Sequence, residues 1–227
     1  GPAHIRLGLP NQDHWMKRSF AWGEVVVVAD GLGSRSKADV GSRAACSAVI
    51  ETAKFMVRQN NPTMENILKL IHAHWLMIID PYMPEDCLTT CLFAIRNQNH
   101  CLLGQIGDGM LAIIGENDQE SFVLSEPGDS AFSNITESLG RQFHPLQWKT
   151  RILPVATFKV VVLCTDGISD DLMPNMQLDF AEAVHSEYQA TSSRQRTRSI
   201  QSWLKNWPVP LHSDDKTIAC LHKIEKD

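Results

Sequence analysis

The apolar positions of the chain follow two different periods. Residues 22–29 hold four consecutive valines, and an unbroken β-branched run is typical of a strand with both faces covered. Small and apolar residues recur at helical spacing over residues 37–59, which predicts a helix. A second helix is predicted from Thr63, which can cap it, to about Ile79.

Beyond Leu88 the period changes to that of short strands separated by turns. Strands are predicted at residues 89–95, 101–106, 110–114, 120–124, 148–153, 158–164 and 217–222, and a short strand or the entry to one at residues 4–9. Residues 125–147 are rich in Ser, Gly, Pro and Asn and predict a long surface loop, whereas residues 170–207 are mostly helical. This antiparallel meander favours a sandwich over a βαβ array, in one domain spanning residues 1–227.

Composition narrows the classes of function. The 227 residues are 43% hydrophobic, and the net charge of -5 argues against a nucleic-acid partner. No apolar run approaches the ~20 residues that span a bilayer, and no signal-peptide pattern is present, so no membrane partner is expected. The six cysteines form no C-x-x-C pair and are interpreted as reduced core residues of a cytoplasmic protein.

Acidic residues recur at the ends of predicted strands. Asp30, Asp108 and Asp166 each precede a glycine, and Asp214 lies just before the last strand. A single Asp-Gly pair is usually a turn. Several carboxylates brought to one rim of a sandwich repel one another, however, and must share protons or cations. An all-oxygen ligand set without clustered His or Cys indicates magnesium or manganese.

The same acids belong to five ordered motifs, at residues 11–13 (Asn-Gln-Asp), 29–33 (Ala-Asp-Gly-Leu-Gly), 107–109 (Gly-Asp-Gly), 165–170 (Thr-Asp-Gly-Ile-Ser-Asp) and 214–217 (Asp-Asp-Lys-Thr). Their order resembles that of the metal-dependent protein phosphatases of type 2C, and their spacing is similar to that of compact bacterial members. The resemblance spans residues 4–222. It implies an α+β fold, a four-layer α-β-β-α sandwich of two antiparallel sheets flanked by helices.

The resemblance also implies a metal centre. Asp30 would bridge two Mn²⁺ or Mg²⁺ ions, with the carbonyl of Gly31 directed at the same site. Asp166 and Asp214 would complete the coordination of one ion. Asp13 would hold metal-bound waters.

Further positions follow from the same resemblance. Asp108, with Asp166, would offer a place for a weaker third ion, and Asp170 and Thr217 would support their motifs. The implied reaction is hydrolysis of phosphoserine or phosphothreonine by a metal-activated water, with Asp30, Asp13 and Asp166 as catalytic residues. The implied partners are a phosphorylated protein and the pathway of a Ser/Thr kinase, and the expected state is a monomer.

Several residues depart from the family pattern. Gly8 stands where many members carry an arginine that clamps the substrate phosphate. Arg6, on a strand, would face the same side as Gly8 and could substitute, and Arg35 is another candidate. Gln12 replaces a frequent Glu, and Leu32 replaces the histidine that some members use as a general acid.

These departures keep a second interpretation open, a catalytically weak or silent module of the same fold that binds a phosphorylated partner. A metal-dependent nuclease is disfavoured by the acidic net charge. Two further features are left outside the implied site. His4 is interpreted as a support for the loop around Asp13. The basic, hydroxyl-rich residues 191–198 are either the solvated start of a helix or a docking site for an acidic or phosphorylated partner.

Overall fold

The computed structural model of the protein describes residues 1–56, 63–124, 137–210 and 212–223. Its strands are β1 (Asp13–Phe20), β2 (Gly23–Asp30), β3 (Cys91–Arg96), β4 (His100–Ile106), β5 (Met110–Gly115), β6 (Phe122–Val123), β7 (Lys149–Pro154), β8 (Phe158–Cys164) and β9 (Ile218–His222). Its α-helices are α1 (Pro2–Leu7), α2 (Ala38–Met56), α3 (Met64–Ile79), α4 (Asp166–Ser169), α5 (Gln177–Tyr188) and α6 (Ser193–Lys205).

The strands form two antiparallel sheets that pack face to face. One sheet has the order β1-β2-β3-β4-β7, and the other has the order β6-β5-β8-β9. Buried side chains from both sheets meet in a central apolar layer that includes Leu92, Leu111 and Leu163. Helices α2 and α3 cover the outer face of the first sheet, and α5 and α6 cover that of the second. The predicted four-layer α-β-β-α sandwich is therefore confirmed.

Strand β2 shows why its valines need no polar alternation. Val25 and Val27 point outwards into the cluster shared with α2 and α3, whereas Val26 and Val28 point inwards to the other sheet. All four are at most 5% exposed, because β2 lies between β1 and β3 and both of its faces are covered. The strand thus holds Asp30, its last residue, on a rigid support.

The helices follow the sequence pattern closely. Thr63 caps α3, since its hydroxyl oxygen accepts the N–H of Asn66 at 3.2 Å, as predicted. The first half of α2 is rich in small residues, and Ala44, Ala45 and Ala48 are buried there. Small side chains allow the helix to lie close against the sheet. The end of the predicted helix at residues 57–59 lies outside the described residues.

Three expectations about secondary structure need correction or restriction. Residues 4–9 do not form a strand, because Pro2 starts helix α1 and Gly8 ends it with a left-handed φ of 66°. Strand β1 was not predicted, since its exposed positions carry the polar run from Lys17 to Ser19. Of the predicted loop 125–147, residues 125–136 lie outside the described part. The remainder contains buried Leu139, which forms a bridge with Thr89.

All six cysteines lie in the described ranges and are free, in agreement with the prediction that they are reduced. Five are buried, and burial raises the pKa of the Cys91 and Cys164 thiols. Within the described ranges, no helix combines the length and the apolar character needed to cross a membrane.

Candidate metal centre

Two carboxylates meet at the open end of the β1–β2 hairpin, opposite the turn that joins the two strands. Asp13 begins β1, Asp30 ends β2, and the antiparallel register pairs these two residues directly. The backbone of Asp30 is fixed on its other side by Thr89 and Thr90, which immediately precede β3. Its N–H donates to the hydroxyl of Thr90 at 2.9 Å, and its carbonyl accepts the hydroxyl of Thr89 at 2.7 Å. Asp30 is therefore held from both sides.

A chain of hydrogen bonds fixes Asp13 against the second sheet. The hydroxyl of Thr165 donates to Asp13 Oδ2 at 2.7 Å and accepts the N–H of Thr217 at 3.1 Å. The other oxygen, Asp13 Oδ1, is buried and has no hydrogen-bond partner among the described residues. A buried carboxylate oxygen without a donor is costly, so this atom is available to a water or a cation.

Asp166 and Asp214 come together because α4 starts against the loop that precedes β9. Asp166 is the first residue of α4 and accepts the N–H of Gly167 at 2.7 Å. A Cβ atom added to Gly167 would lie 1.9 Å from the carbonyl oxygen of Asp215. Glycine is therefore required here, and the close approach brings the carboxylates of Asp166 and Asp214 to the same place.

Asp108 reaches the same end of the sandwich through a tight turn. The turn between β4 and β5 has left-handed φ values of 89° at Gly107 and 94° at Gly109. A Cβ atom on Gly109 would lie 2.7 Å from the carbonyl oxygen of Cys164, at the end of β8. The turn thus lies next to Asp166.

The charges of these acids act on one another. Burial, reinforced by Asp13, Asp166 and Asp214, raises the pKa of Asp30 to about 10. Burial and the carboxylates of Asp108 and Asp214 raise the pKa of Asp166 to about 7. Burial also raises the pKa of Asp13. The site therefore holds negative charge that calls for protons or cations, and its all-oxygen donor set fits a hard divalent ion.

The acids do not all converge at the distances of one coordination sphere. Among the described residues, one group of three has ligand atoms that all lie within 4.8 Å of one another, and it comprises His4, Asp214 and Asp215. Asp30 and Asp166 lie outside this group, but Asp166 is close enough to contribute to the raised pKa of Asp30. The acids implied by the resemblance thus lie at the same end of the sandwich, but their carboxylates are not all close enough together to bind one ion.

Asp215 is the residue of this region to which the sequence assigned no role. It is 1% exposed, and its Oδ2 accepts the Nδ1–H of His4 at 2.6 Å and the N–H of Gln12 at 2.8 Å. His4, which was predicted to support the loop around Asp13, thus reaches that loop through Asp215. The sequence does contain a hint of the role of Asp215. Asp214 and Asp215 are adjacent before β9, and only Asp214 was assigned as a metal ligand. The partners of Asp215 lie about two hundred residues away, however.

The two candidate phosphate clamps lie in different places. Arg6 is exposed on helix α1, so the argument that it shares a strand face with Gly8 is wrong. Arg35 lines a groove of about 700 Å³ together with Leu32 and Gly33, directly after the Asp30-Gly31 turn. Arg35 is therefore the better placed of the two. The groove contains a second arginine, Arg141, which is paired with Glu85 at 2.5 Å.

The residues that follow Asp30 are tightly packed. The N–H of Gly31 donates to the carbonyl of Gln12 at 3.1 Å, and a Cβ atom on Gly31 would lie 2.2 Å from the carbonyl oxygen of Ala38. The side-chain oxygen of Gln12 lies 3.3 Å from the position of a Cβ on Gly33. Gln12 therefore contacts the glycine turn, beside the Asp13–Asp30 pair.

Comparisons with known proteins were made by sequence and by structure. The sequence model of the family described as Protein phosphatase 2C matches residues 1–207. The serine/threonine phosphatase Stp1 from Staphylococcus aureus is 16% identical and aligns over 96% of this chain and 90% of its own, with a TM-score of 0.62. The serine-threonine phosphatase 2C from Toxoplasma gondii is 12% identical over 93% of this chain and 89% of its own, with a TM-score of 0.59.

A third structure is that of RsbX in complex with magnesium, which is 18% identical over 93% of this chain and 86% of its own, with a TM-score of 0.56. These likenesses show the fold. No protein among the curated sequences matches the chain significantly.

Proposed function

The chain belongs to the protein phosphatase 2C family, and from this we propose that it hydrolyses phosphoserine and phosphothreonine in proteins at a centre of two Mn²⁺ or Mg²⁺ ions. The family match over residues 1–207 supports the protein phosphatase activity. The magnesium complex of RsbX, a structure of the same fold, supports the use of a divalent ion.

The observation that carries the metal dependence is the pairing of Asp13 with Asp30. Their side chains meet in a buried place, where one oxygen of Asp13 has no hydrogen-bond donor among the described residues. Two carboxyl groups in contact either share a proton or are both ionised with a cation between them. Because a protein phosphatase of this family is metal-dependent, a divalent ion is the natural occupant.

Each acid has a proposed role. Asp30 and the carbonyl of Gly31 would hold the two ions, and Asp166 and Asp214, from the second sheet, would complete the coordination of one of them. Asp13, held by the hydroxyl of Thr165, orients water at the centre. The chemistry that two divalent ions would supply here is a water of lowered pKa as the nucleophile and compensation of the charge on the phosphate oxygens.

Two weaker proposals complete the site. Arg35 binds the substrate phosphate, because its groove opens beside Leu32 and Gly33, and we give Arg6 no part in this. Asp108, together with Asp166, provides the place for a weaker third ion. The carboxylate of Asp108 is close enough to raise the pKa of Asp166 and of Asp170.

The test is hydrolysis of p-nitrophenyl phosphate by the purified protein. We expect turnover that needs Mn²⁺, stops on addition of a chelator and is lost in Asp30→Asn. Asp179→Asn is the matched control, since Asp179 is exposed on α5. If the protein showed no turnover with excess Mn²⁺ and bound no Mn²⁺ in calorimetry, the proposed enzymatic activity would be refuted.

One observation favours a second candidate, a silent module that binds a phosphorylated partner. Among the described residues, the ligand atoms that lie close together belong to His4, Asp214 and Asp215 rather than to Asp30. Gly8 has no side chain that could bind the substrate phosphate. Such a module would bind a phosphoserine peptide, with or without Mn²⁺, and release no phosphate from it. A malachite-green assay on the same peptide used for binding separates the two functions.

We also propose that residues 1–227 act as one domain in the cytoplasm, as a monomer that opposes a Ser/Thr kinase and binds no nucleic acid. The free state of the cysteines supports a reducing compartment. The net charge of -5 supports the absence of a nucleic-acid partner. A dimer in light scattering, or retention of DNA by the protein at low salt, would contradict these two points.

A further inference from the structure

A cleft of about 790 Å³ lies where the two sheets of the sandwich are open at one side. Strand β1 is the edge of the first sheet and β9 the edge of the second, and helix α6 covers the space between them. The volume is within the range of small-molecule sites, about 300–1,000 Å³. Asp13 of the metal centre lines one end, and the remainder extends along β1.

The inner face of β1 explains why this space is not filled. Trp15 and Lys17 pair with Val28 and Val26, whose side chains point into the layer between the sheets. Side chains of directly paired residues share one face of a sheet, so Trp15 and Lys17 also point inwards. Yet Trp15 remains 41% exposed. An aromatic ring at an inward position with that much exposed surface is a contact surface for a ligand.

Trp15 also differs from the other tryptophans. Trp22, Trp75, Trp148, Trp203 and Trp207 each pack against another ring. Trp15 takes part in no such ring contact within the described part of the chain. Its face is therefore available for stacking with an aromatic ligand.

The walls of the cleft carry an excess of positive charge on an acidic protein. The lining contains one carboxylate, that of Asp13, and five basic side chains, Lys17, Arg43, Arg196, Lys205 and Lys216. Among the described residues, carboxylates outside the cleft lie near Arg43 (3.9 Å from Asp39) and Lys216 (3.2 Å from Asp171). The cleft therefore attracts anions although the net charge of the chain is -5.

Arg196 connects the cleft to the basic segment at residues 191–198. It lies on α6 and donates through Nη2 to the carbonyl of Thr191 at 2.9 Å, which is a neutral acceptor. Its Nε is buried and has no acceptor among the described residues. Ile200 and Leu204 follow at intervals of four residues and supply an apolar wall below it.

We propose that this cleft binds an organic anion that carries both a flat aromatic ring and at least two negative charges, the class to which nucleoside polyphosphates belong. The ring stacks on Trp15 and contacts Ile200 and Leu204, and the anionic groups contact the basic side chains of β1, α2 and α6. The site is separate from the phosphatase function, because it requires no metal ion.

The test is calorimetric titration of the full chain with ATP, inorganic tripolyphosphate, adenosine and a hexaglutamate peptide, all with EDTA present. We expect ATP to bind, and tripolyphosphate and adenosine to bind at least about fivefold more weakly, since each offers only part of the contacts. ATP affinity should fall as salt is added. Binding in EDTA that is kept by Asp30→Asn separates this site from the metal centre.

Matched variants test the location. Lys17→Gln combined with Arg43→Gln should weaken ATP binding about tenfold. Arg18→Gln combined with Lys54→Gln is the control, because these residues lie on the same two elements outside the cleft and the net charge changes equally. Trp15→Leu should also weaken ATP about fivefold and leave tripolyphosphate unchanged.

Four results would overturn the proposal: no ATP binding in EDTA, equal loss in the two double variants, equal affinity for ATP and tripolyphosphate, or tighter binding of hexaglutamate than of ATP. The last result would assign the cleft to an acidic peptide. None of these results bears on the proposed phosphatase activity, which is measured separately with Mn²⁺.

Discussion

The valines of β2 and the aspartate that ends the strand are built on opposite principles. Val25, Val27 and Val28 have no exposed surface and contact only other apolar groups on both faces of the sheet. Asp30, two residues beyond Val28, lies against Asp13 in a place where burial raises its pKa to about 10. Burial of the valines stabilises the folded protein, whereas burial of Asp30 destabilises it.

The difference separates stability from function along one strand. Each buried valine contributes roughly 1.5–3 kcal/mol to the free energy of unfolding. A buried carboxylate beside like charges lowers it, unless a cation binds. The sandwich thus supplies the stability that allows uncompensated acids to be kept at its rim. Variants on the two sides of this boundary should therefore have effects of opposite sign.

The largest effect is expected for Asp30→Asn. Phosphatase turnover with Mn²⁺ should fall by roughly 10²–10³-fold or more, because the bridging carboxylate is lost. The metal-free protein should instead gain about 1–2 kcal/mol of stability, because the raised pKa of Asp30 makes folding take up a proton at neutral pH, a cost that Asn does not have. Urea unfolding in EDTA measures the second change. A metal-free variant less stable than the wild type would contradict the proposed repulsion at Asp30.

Val27→Ala should show the reverse pattern. Val27 is fully buried between β2 and helix α2, so the smaller side chain leaves a cavity and costs about 2 kcal/mol of stability. Mn²⁺ affinity should stay within about threefold of the wild type, since the support of Asp30 by Thr89 and Thr90 is untouched. Urea unfolding and calorimetry check the two quantities. A large loss of Mn²⁺ affinity would show that the strand and its end are not separable.

A smaller effect is expected when the pH is changed. The stability of the metal-free protein should decrease as pH rises, whereas the stabilisation by Mn²⁺ should increase. The pKa of Asp166 is raised to about 7 from an ordinary value of 3.8, so the folded protein holds this proton more tightly than the unfolded chain. The stability of the metal-free protein therefore decreases as pH rises from about 4 to about 7. Mn²⁺ competes with the proton, so the increase in Tm that it produces should grow over this range.

A control is needed because histidines titrate in the same range. Burial lowers the pKa of His222 to about 4, and this group makes the folded state more stable as pH rises. Asp166→Asn keeps the contribution of His222 and removes that of Asp166. The difference in Tm between wild type and Asp166→Asn, measured in EDTA, isolates the carboxylate. A difference that is constant from pH 5 to pH 8 would contradict a raised pKa at Asp166.

The sequence predicted local features well and distant contacts poorly. The unbroken valine run indicated a strand with two covered faces, and acids at strand ends indicated a common rim. Helix α1 was missed because six residues give too little periodicity, although Pro2 and Gly8 mark its two ends. The role of Asp215 depends on contacts with His4 and Gln12, which no local pattern contains.

The same reasoning applies to the open side of the sandwich. Lys17 and Arg18 gave β1 a polar character that hid it as a strand, since charged residues are common on edge strands. The sequence alone indicates that the basic residues 191–198 are either the solvated start of a helix or a docking site for an acidic or phosphorylated partner. That Arg196 and Trp15 line one cleft depends on which strands form the sheet edges, and strand order is a property of the whole fold.

The smallest effect is expected for Gln12→Glu, which adds one negative charge to the acidic rim. Gln12 is 7% exposed, and its backbone connects Asp215 to Gly31. The added carboxylate should strengthen Mn²⁺ binding by roughly three- to tenfold and lower the metal-free Tm by about 2–4 °C. Calorimetry and thermal unfolding in EDTA measure the two changes, with Gln119→Glu, an exposed position, as the control. If Gln12→Glu left both quantities unchanged, the side chain of residue 12 would lie outside the field of the ions. The absence of the usual Glu would then have no bearing on metal affinity.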